Sequence, residues 1–207
     1  TPTVGVIRND PQKGTYDIAW PMGVIVALTP STNPTSTAIF KTLIAVKARN
    51  AIVIAPHPSA IKCTTETMRI MAEAGERAGM PKGLISNMTR ISLPGTQELM
   101  RHKYVALILA TGGSDMVRAA HSVGKPAYGV GPGNVPVYVD RSADIQRAAK
   151  YIVASKAFDH SVICATEQAV VADRPIAAQL EELMKAEGAY FANEEQSSIL
   201  AKNLFVG

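Results

Sequence analysis

Two cysteines, four histidines and two glycine-rich turns are the residues of this sequence with the most capacity for chemistry. Cys164 stands in Val162-Ile163-Cys164-Ala165-Thr166-Glu167, behind a helical stretch that ends near Phe158-Asp159-His160. A thiol attacks only as thiolate, and His160 can favour that form only if the loop folds back towards the sulfur. Spacing alone favours the other reading, an inert cysteine buried in an apolar stretch. Cys63, in the middle of an amphipathic helix, carries no further signal. His57, His102, His121 and His160 form no metal pair, and the cysteines form no Cys-x-x-Cys, so no metal site is expected.

The glycine turns suit a different chemistry. Thr111-Gly112-Gly113-Ser114 follows an apolar run and opens a helix, where free backbone amides can face a phosphate. It does not match Gly-x-Gly-x-x-Gly, and such turns often hold no ligand. Gly129-Val130-Gly131-Pro132-Gly133-Asn134 allows positive φ and close approach of backbone to a ligand. A tight link between two strands explains it equally well.

The elements that must position these residues alternate strand with helix. Gly23 to Leu28, Ala51 to Ala55 and Val105 to Ala110 are short apolar runs, each stopped by a turn signal. After Thr29-Pro30-Ser31-Thr32-Asn33-Pro34 a helix is predicted to about Arg49, with Ala38, Ile39, Leu43 and Val46 on its inner face. Ala60 to Ala78 places Ile61, Met68, Met71 and Ala72 on one helical stripe, read as core packing. Asp115 to His121 and Ser142 to Lys156 are predicted helical, as is Pro175 to Glu187. Pro126 to Val130, Val135 to Val139 and Gln168 to Ala172 are predicted strands. Such alternation implies an α/β fold, a Rossmann-like parallel sheet with helices on both faces, whose ligands bind at the carboxyl ends of strands.

The chain has 207 residues, 47% hydrophobic and 18% charged, which fits a packed globular interior. Its formal charge of +4 comes from scattered Lys and Arg without a run or stripe, so nucleic acid is not an expected partner. Cysteine usage points to a reducing, cytoplasmic setting. No apolar stretch reaches the roughly 20 residues of a membrane span, and no membrane association or signal peptide is expected.

Taken in order and spacing, three blocks resemble the aldehyde dehydrogenase superfamily. They are Leu28-Thr-Pro-Ser-Thr-Asn-Pro-Thr-Ser-Thr37, Leu109-Ala-Thr-Gly-Gly-Ser114 and Ser155-Lys-Ala-Phe-Asp-His-Ser-Val-Ile-Cys-Ala-Thr-Glu-Gln168. The similarity is greatest to CoA-acylating (acetylating) acetaldehyde dehydrogenases, including the N-terminal half of bifunctional aldehyde-alcohol dehydrogenases. It runs from about Tyr16 to Ala172. The resemblance implies a partial aldehyde dehydrogenase fold, with a nucleotide-binding domain over residues 1–134. Residues 135–207 would begin the catalytic domain, and family segments would lie before Thr1 and after Gly207.

By the same resemblance, Cys164 is the nucleophile and Asn33 donates to the oxyanion. Leu28, Thr29, Pro30, Ser31, Thr32, Asn33, Gly113 and Gly131 fall at cofactor contacts. NAD is the implied cofactor, with coenzyme A as co-substrate, a small aldehyde as substrate and a homo-oligomer as the expected assembly. Hydrolytic members carry a general base in Glu-Leu-Gly-Gly, whereas the matching Gly129 to Gly133 has no carboxylate and Val130 falls near that Glu. The family's Lys-Pro-Ser-Glu ribose motif is replaced by His57-Pro58-Ser59-Ala60. Glu167 is the nearest rival base, and its place just before a strand is expected to turn it away from Cys164. The alternatives are the same chemistry on propionaldehyde or sulfoacetaldehyde, or a non-catalytic fragment or assembly module of such an enzyme.

Overall fold

The computed structural model describes residues 2–204. In chain order the elements are β1 (Gly5–Asp10), β2 (Thr15–Ala19), β3 (Val24–Leu28), α1 (Pro34–Lys47), β4 (Ala51–Ala55), α2 (Ile61–Arg77), β5 (Ile85–Asn87) and α3 (Leu93–Arg101). There follow β6 (Val105–Thr111), α4 (Ser114–His121), β7 (Ala127–Val130), β8 (Pro136–Val139), α5 (Ile145–Ala157), β9 (Ala169–Ala172), α6 (Arg174–Ala186) and α7 (Glu194–Leu204). The chain forms two compact units, Thr1–Pro132 and Gly133–Gly207.

The first unit is built on a five-stranded sheet of order β5-β4-β3-β6-β7. All four of its pairings are parallel. The apolar runs give each central strand two buried faces. In β3, Ile25 and Ala27 pack with Ala38, Ala45 and Met68 from α1 and α2. Val26 and Leu28 point to the opposite side, among Met100 of α3 and Ala120 of α4. Helices therefore cover both faces, as the alternation of elements requires. The antiparallel hairpin β1–β2 has no counterpart in the sequence reading, and neither do β5, α3 and α7.

Helix α1 begins on Pro34, whose fixed φ suits the first helical position. Its buried face is not the one the periodicity suggested. Thr37, Ala38, Lys41, Thr42 and Ala45 face the sheet, while Ile39 and Leu43 are exposed at 38% and 56%. The helix carries apolar residues all round, so periodicity could not choose a side. The sheet takes the side with small residues, which permits close approach, and with Lys41, which has acceptors to reach. Of the four expected inner residues, Ala38 is buried and Val46 is packed partly against the core.

The second unit pairs β8 with β9 in parallel, in register from Pro136↔Ala169 to Val139↔Ala172. Val139, Ala149, Ile152 and Leu180 form its core, joining that sheet to α5 and α6. Asp144 caps α5 by accepting from the Arg147 N–H at 3.1 Å. Among the described residues no helix is long and apolar enough to cross a membrane.

Candidate active site

The order of the first sheet reverses direction beside β3, where the chain moves first to β4 and β5 and then back past β3 to β6 and β7. Loops leaving the carboxyl ends of β3 and β6 therefore diverge and leave a crevice. A cavity of about 270 Å³ lies there, lined by Leu28, Thr29 and Pro30 after β3 and by Thr111, Gly112 and Gly113 after β6. His57 and Pro58 after β4 close one side, and Ser92, Leu93 and Thr96 at the start of α3 another. The structure thus brings together four of the expected cofactor residues: Leu28, Thr29, Pro30 and Gly113. Ser31, Thr32, Asn33 and Gly131 do not line this cavity.

One polar atom in this cavity lacks a partner. The Thr29 hydroxyl is buried, its residue 4% exposed, and it makes no hydrogen bond to any described residue. A buried hydroxyl left unpaired is costly. His57, on the wall of the same cavity, holds its ring against its own turn. Its Nδ1 accepts from the Ser59 N–H at 3.2 Å and lies 2.7 Å from Ser59 Oγ, so the ring caps the short 3₁₀ turn Pro58–Ala60.

The glycines divide by physical role. None of Gly112, Gly113, Gly129, Gly131 and Gly133 has positive φ. Gly129 is required by packing, because a Cβ there would stand 2.5 Å from Val117 Cγ1 and 2.7 Å from His121 Nε2 of α4. The close approach expected of the second glycine loop is therefore, at Gly129, an approach to helix α4. Gly113, at the N-cap of α4, meets nothing within 4 Å. Its lack of a side chain serves no contact among the described residues.

Beneath the β3 and β6 ends sits a residue that sequence reasoning missed. Lys41 of α1 is 4% exposed, and its Nζ donates to Leu28 O at 2.7 Å and Leu109 O at 2.8 Å. Burial pushes its pKa down from 10.5 to about 7. A lysine at a helix position facing small neighbours was the available signal. Lys41 also reaches a second, larger and mainly apolar cavity of about 480 Å³, with Trp20, Phe40, Tyr128 and Val130 on its walls. Val130 presents no acid or base there.

Asn33 caps α1 through its backbone, its carbonyl accepting from the Thr37 N–H at 3.2 Å. Its side chain makes no capping bond, and its Oδ1 accepts from Thr32 Oγ1 at 3.0 Å. The amide nitrogen makes no bond to a described residue, so its protons are free to donate.

In the second unit, Cys164 is exposed. This corrects the expectation from spacing that the thiol is buried and inert. It sits in the turn Ile163–Thr166, closed by Thr166 N–H donating to Ile163 O at 3.3 Å, with Cys164 and Ala165 at the two central positions. Ahead of it, Asp159, His160 and Ser161 adopt left-handed φ of 49°, 50° and 61°. Glu167 is half-buried, with Oε2 unpartnered among the described residues, and lines a cavity of about 370 Å³ with Lys156, Met184 and Tyr190. Cys164 is not on that cavity's wall. Cys63 is exposed on α2, its Sγ donating to Ala60 O at 3.2 Å. Among the described residues no group of three or more His, Cys, Asp or Glu gathers as a metal site.

An open parallel sheet with this strand order and a strand-end crevice defines the doubly wound, dinucleotide-binding class of fold. The chain belongs to the aldehyde dehydrogenase family, whose model matches residues 3–194. It is 50% identical over 203 residues to aldehyde-alcohol dehydrogenase 2 of Entamoeba histolytica, covering 98% of this chain and 23% of that protein. An acetylating aldehyde dehydrogenase from Geobacillus thermoglucosidasius superposes with a TM-score of 0.88 at 57% identity, covering 97% of this chain and 44% of that one. A Rhodopseudomonas palustris propionaldehyde dehydrogenase, solved with bound CoA and an acylated cysteine, superposes with a TM-score of 0.82 at 34% identity. That match covers 91% of this chain and 43% of that one. The chain therefore spans less than half the length of these relatives, and its fold is the corresponding part of the aldehyde dehydrogenase fold.

Proposed function

We propose that this chain carries the nucleotide-binding and nucleophile-bearing parts of an NAD-dependent, CoA-acylating aldehyde dehydrogenase. Its substrate would be a short aldehyde such as acetaldehyde. Residues 1–134 are assigned to the nucleotide domain and residues 135–207 to the start of the catalytic domain. The cytoplasm is the proposed location and a homo-oligomer the proposed assembly.

The observation that carries the reading is the exposed Cys164 on its turn. A thiolate there adds to the aldehyde carbonyl carbon, giving a thiohemiacetal whose oxygen bears the negative charge. That charge needs donors fixed in advance, and the Asn33 amide and the Cys164 peptide N–H are assigned to it. In a β-turn the closing bond uses the fourth residue's N–H, which leaves that of Cys164 unspent. Bound NAD supplies the acceptor for the hydride leaving the former carbonyl carbon. Leu28 to Asn33, Gly113 and Gly131 are assigned to hold the dinucleotide, a reading supported by Leu28, Thr29, Pro30 and Gly113 lining one strand-end crevice. What remains on Cys164 is an acyl thioester.

The missing carboxylate between Gly129 and Gly133 supports coenzyme A as acceptor. Water needs a base to attack a thioester, and a general base contributes about 10²–10⁴-fold. A thiol releases its proton to solvent far more readily than water does, and so supplies its own thiolate without one. The test is NADH formation by the intact enzyme with and without CoA. A single burst without CoA and sustained turnover with it is the expected result. Sustained CoA-independent release of free acid overturns the assignment, and loss of that release in Glu167→Gln would make Glu167 the base.

A further inference from the structure

The turn bearing Cys164 is closed by one buried hydroxyl. Thr166 is 2% exposed, and its Oγ1 lies 3.2 Å from Ile163 O, 2.9 Å from Ser161 Oγ and 3.3 Å from Gln168 Nε2. A threonine hydroxyl offers one proton and two lone pairs. The Ile163 carbonyl can only accept, so it takes the Thr166 proton. The Gln168 amide nitrogen can only donate, which fills one lone pair. The other then accepts from Ser161. Each bond direction is fixed, and the hydroxyl has no capacity left over.

The same network anchors the turn to α5. Gln168 Nε2 also donates to Thr166 O at 3.2 Å, while Gln168 Oε1 accepts from Lys156 Nζ at 3.0 Å. Lysine has no acceptor, so this bond fixes which way round the Gln168 amide lies. On its other side the network holds Ser161, the last of three consecutive non-glycine residues with left-handed φ. Such residues persist only where their surroundings impose the conformation. The Ser161–Thr166 bond is one constraint that does so.

We infer that Thr166 is the positioning residue of Cys164. Its hydroxyl fastens the Ile163–Thr166 turn to the left-handed Asp159–Ser161 segment, and so presents the thiol and the Cys164 peptide N–H in a single geometry. Thr166 acts through Cys164 and does not itself meet the aldehyde. The inference rests on the reading of Cys164 as nucleophile.

In the intact enzyme, Thr166→Val keeps the side-chain shape and deletes the hydroxyl, while Thr166→Ser restores it. The pre-steady-state NADH burst reports acylation, and mass spectrometry of the quenched burst reports which residue holds the acyl group. The burst rate should fall about 10- to 100-fold in Thr166→Val, as for a small misplacement of a reacting group, and return to within roughly threefold of normal in Thr166→Ser. NAD affinity should not change. A residue that served only folding would lower the burst amplitude and leave its rate. If Thr166→Val does not yield folded protein, Ser161→Ala removes one donor to Thr166 Oγ1, and a slower burst at full amplitude is expected there. A normal rate in the variant that folds, with the acyl group on Cys164, overturns the inference. An acyl group on another residue of the unmodified enzyme overturns the nucleophile reading instead, whatever the variants do.

Discussion

The strand-end crevice of the first unit and the Cys164 turn of the second present functional groups by opposite means. In the crevice the backbone ladder does most of the placing. Leu28 and Ala110 face each other in register across β3 and β6, and Lys41 ties the Leu28 and Leu109 carbonyls from below. In the Cys164 turn no ladder reaches the cysteine, because β9 begins only at Ala169. Side-chain hydrogen bonds through Thr166 and a left-handed backbone take its place. A sheet can hold a cofactor loop with residues chosen for burial. A nucleophile outside the sheet needs named polar partners, so its geometry is more easily lost to one substitution.

Asn33 tests that difference most severely, since it lies on the sheet side but is assigned to the reacting oxygen. If its amide donates to the oxyanion, Asn33→Ala should raise the acylation barrier by roughly 2.7–4 kcal/mol, on the scale of other oxyanion donors. Its backbone cap on α1 survives the change, so the fold should hold. Rapid-mixing NADH bursts and separate NAD titrations distinguish the outcomes. A normal burst rate with weakened NAD binding would reassign Asn33 to the cofactor.

The glycines give a smaller effect and sharpen the contrast within the first unit. Gly129→Ala drives a Cβ to 2.5 Å from Val117 Cγ1 and should destabilise by about 1–3 kcal/mol, as overpacked substitutions do. Gly113→Ala meets open space at ordinary φ and should leave stability within about 0.5 kcal/mol. NAD affinity should nevertheless fall in Gly113→Ala if that glycine lies against the dinucleotide. Thermal unfolding and NAD titration of both variants check this. Unchanged affinity in Gly113→Ala removes the residue from the proposed contacts.

The sheet was legible in the sequence because β3, β4 and β6 are apolar runs bounded by turns. β5 escaped because Ile85-Ser86-Asn87 is too short to show a pattern, and the β1–β2 hairpin because its large apolar residues, Val6, Tyr16 and Ile18, are exposed. Helix α1 was placed correctly along the chain but turned the wrong way, since a helix apolar on every side has no readable stripe. At Cys164, local composition pointed to burial and only the longer block from Ser155 to Gln168 pointed to chemistry. The Thr166 network was illegible, because its bonds depend on a backbone conformation that Asp159, His160 and Ser161 do not advertise.

Lys41 offers the finest test of the comparison, because the first unit's clamp turns on a buried amine that can titrate, whereas the Thr166 hydroxyl at the centre of the other cannot. An ammonium has three N–H donors, and Lys41 Nζ finds two carbonyls. A neutral amine has two, so deprotonation keeps both bonds and removes a buried charge. That is consistent with burial lowering the pKa to about 7 from 10.5. The sign follows from proton counting. Below the folded value both states carry the proton, and the burial penalty is fully present. Between about 7 and 10.5 the unfolded chain holds a proton that the folded chain has released, so stability rises with pH. One proton sets the steepest slope at about 1.4 kcal/mol per pH unit. Lys41→Met abolishes this contribution. Urea midpoints of the two proteins should run parallel below neutrality and diverge above it, with the unsubstituted protein gaining on the variant as pH rises. Curves that stay parallel into the alkaline range would mean that Lys41 keeps its charge, and that the clamp works as an ammonium whose third proton is satisfied.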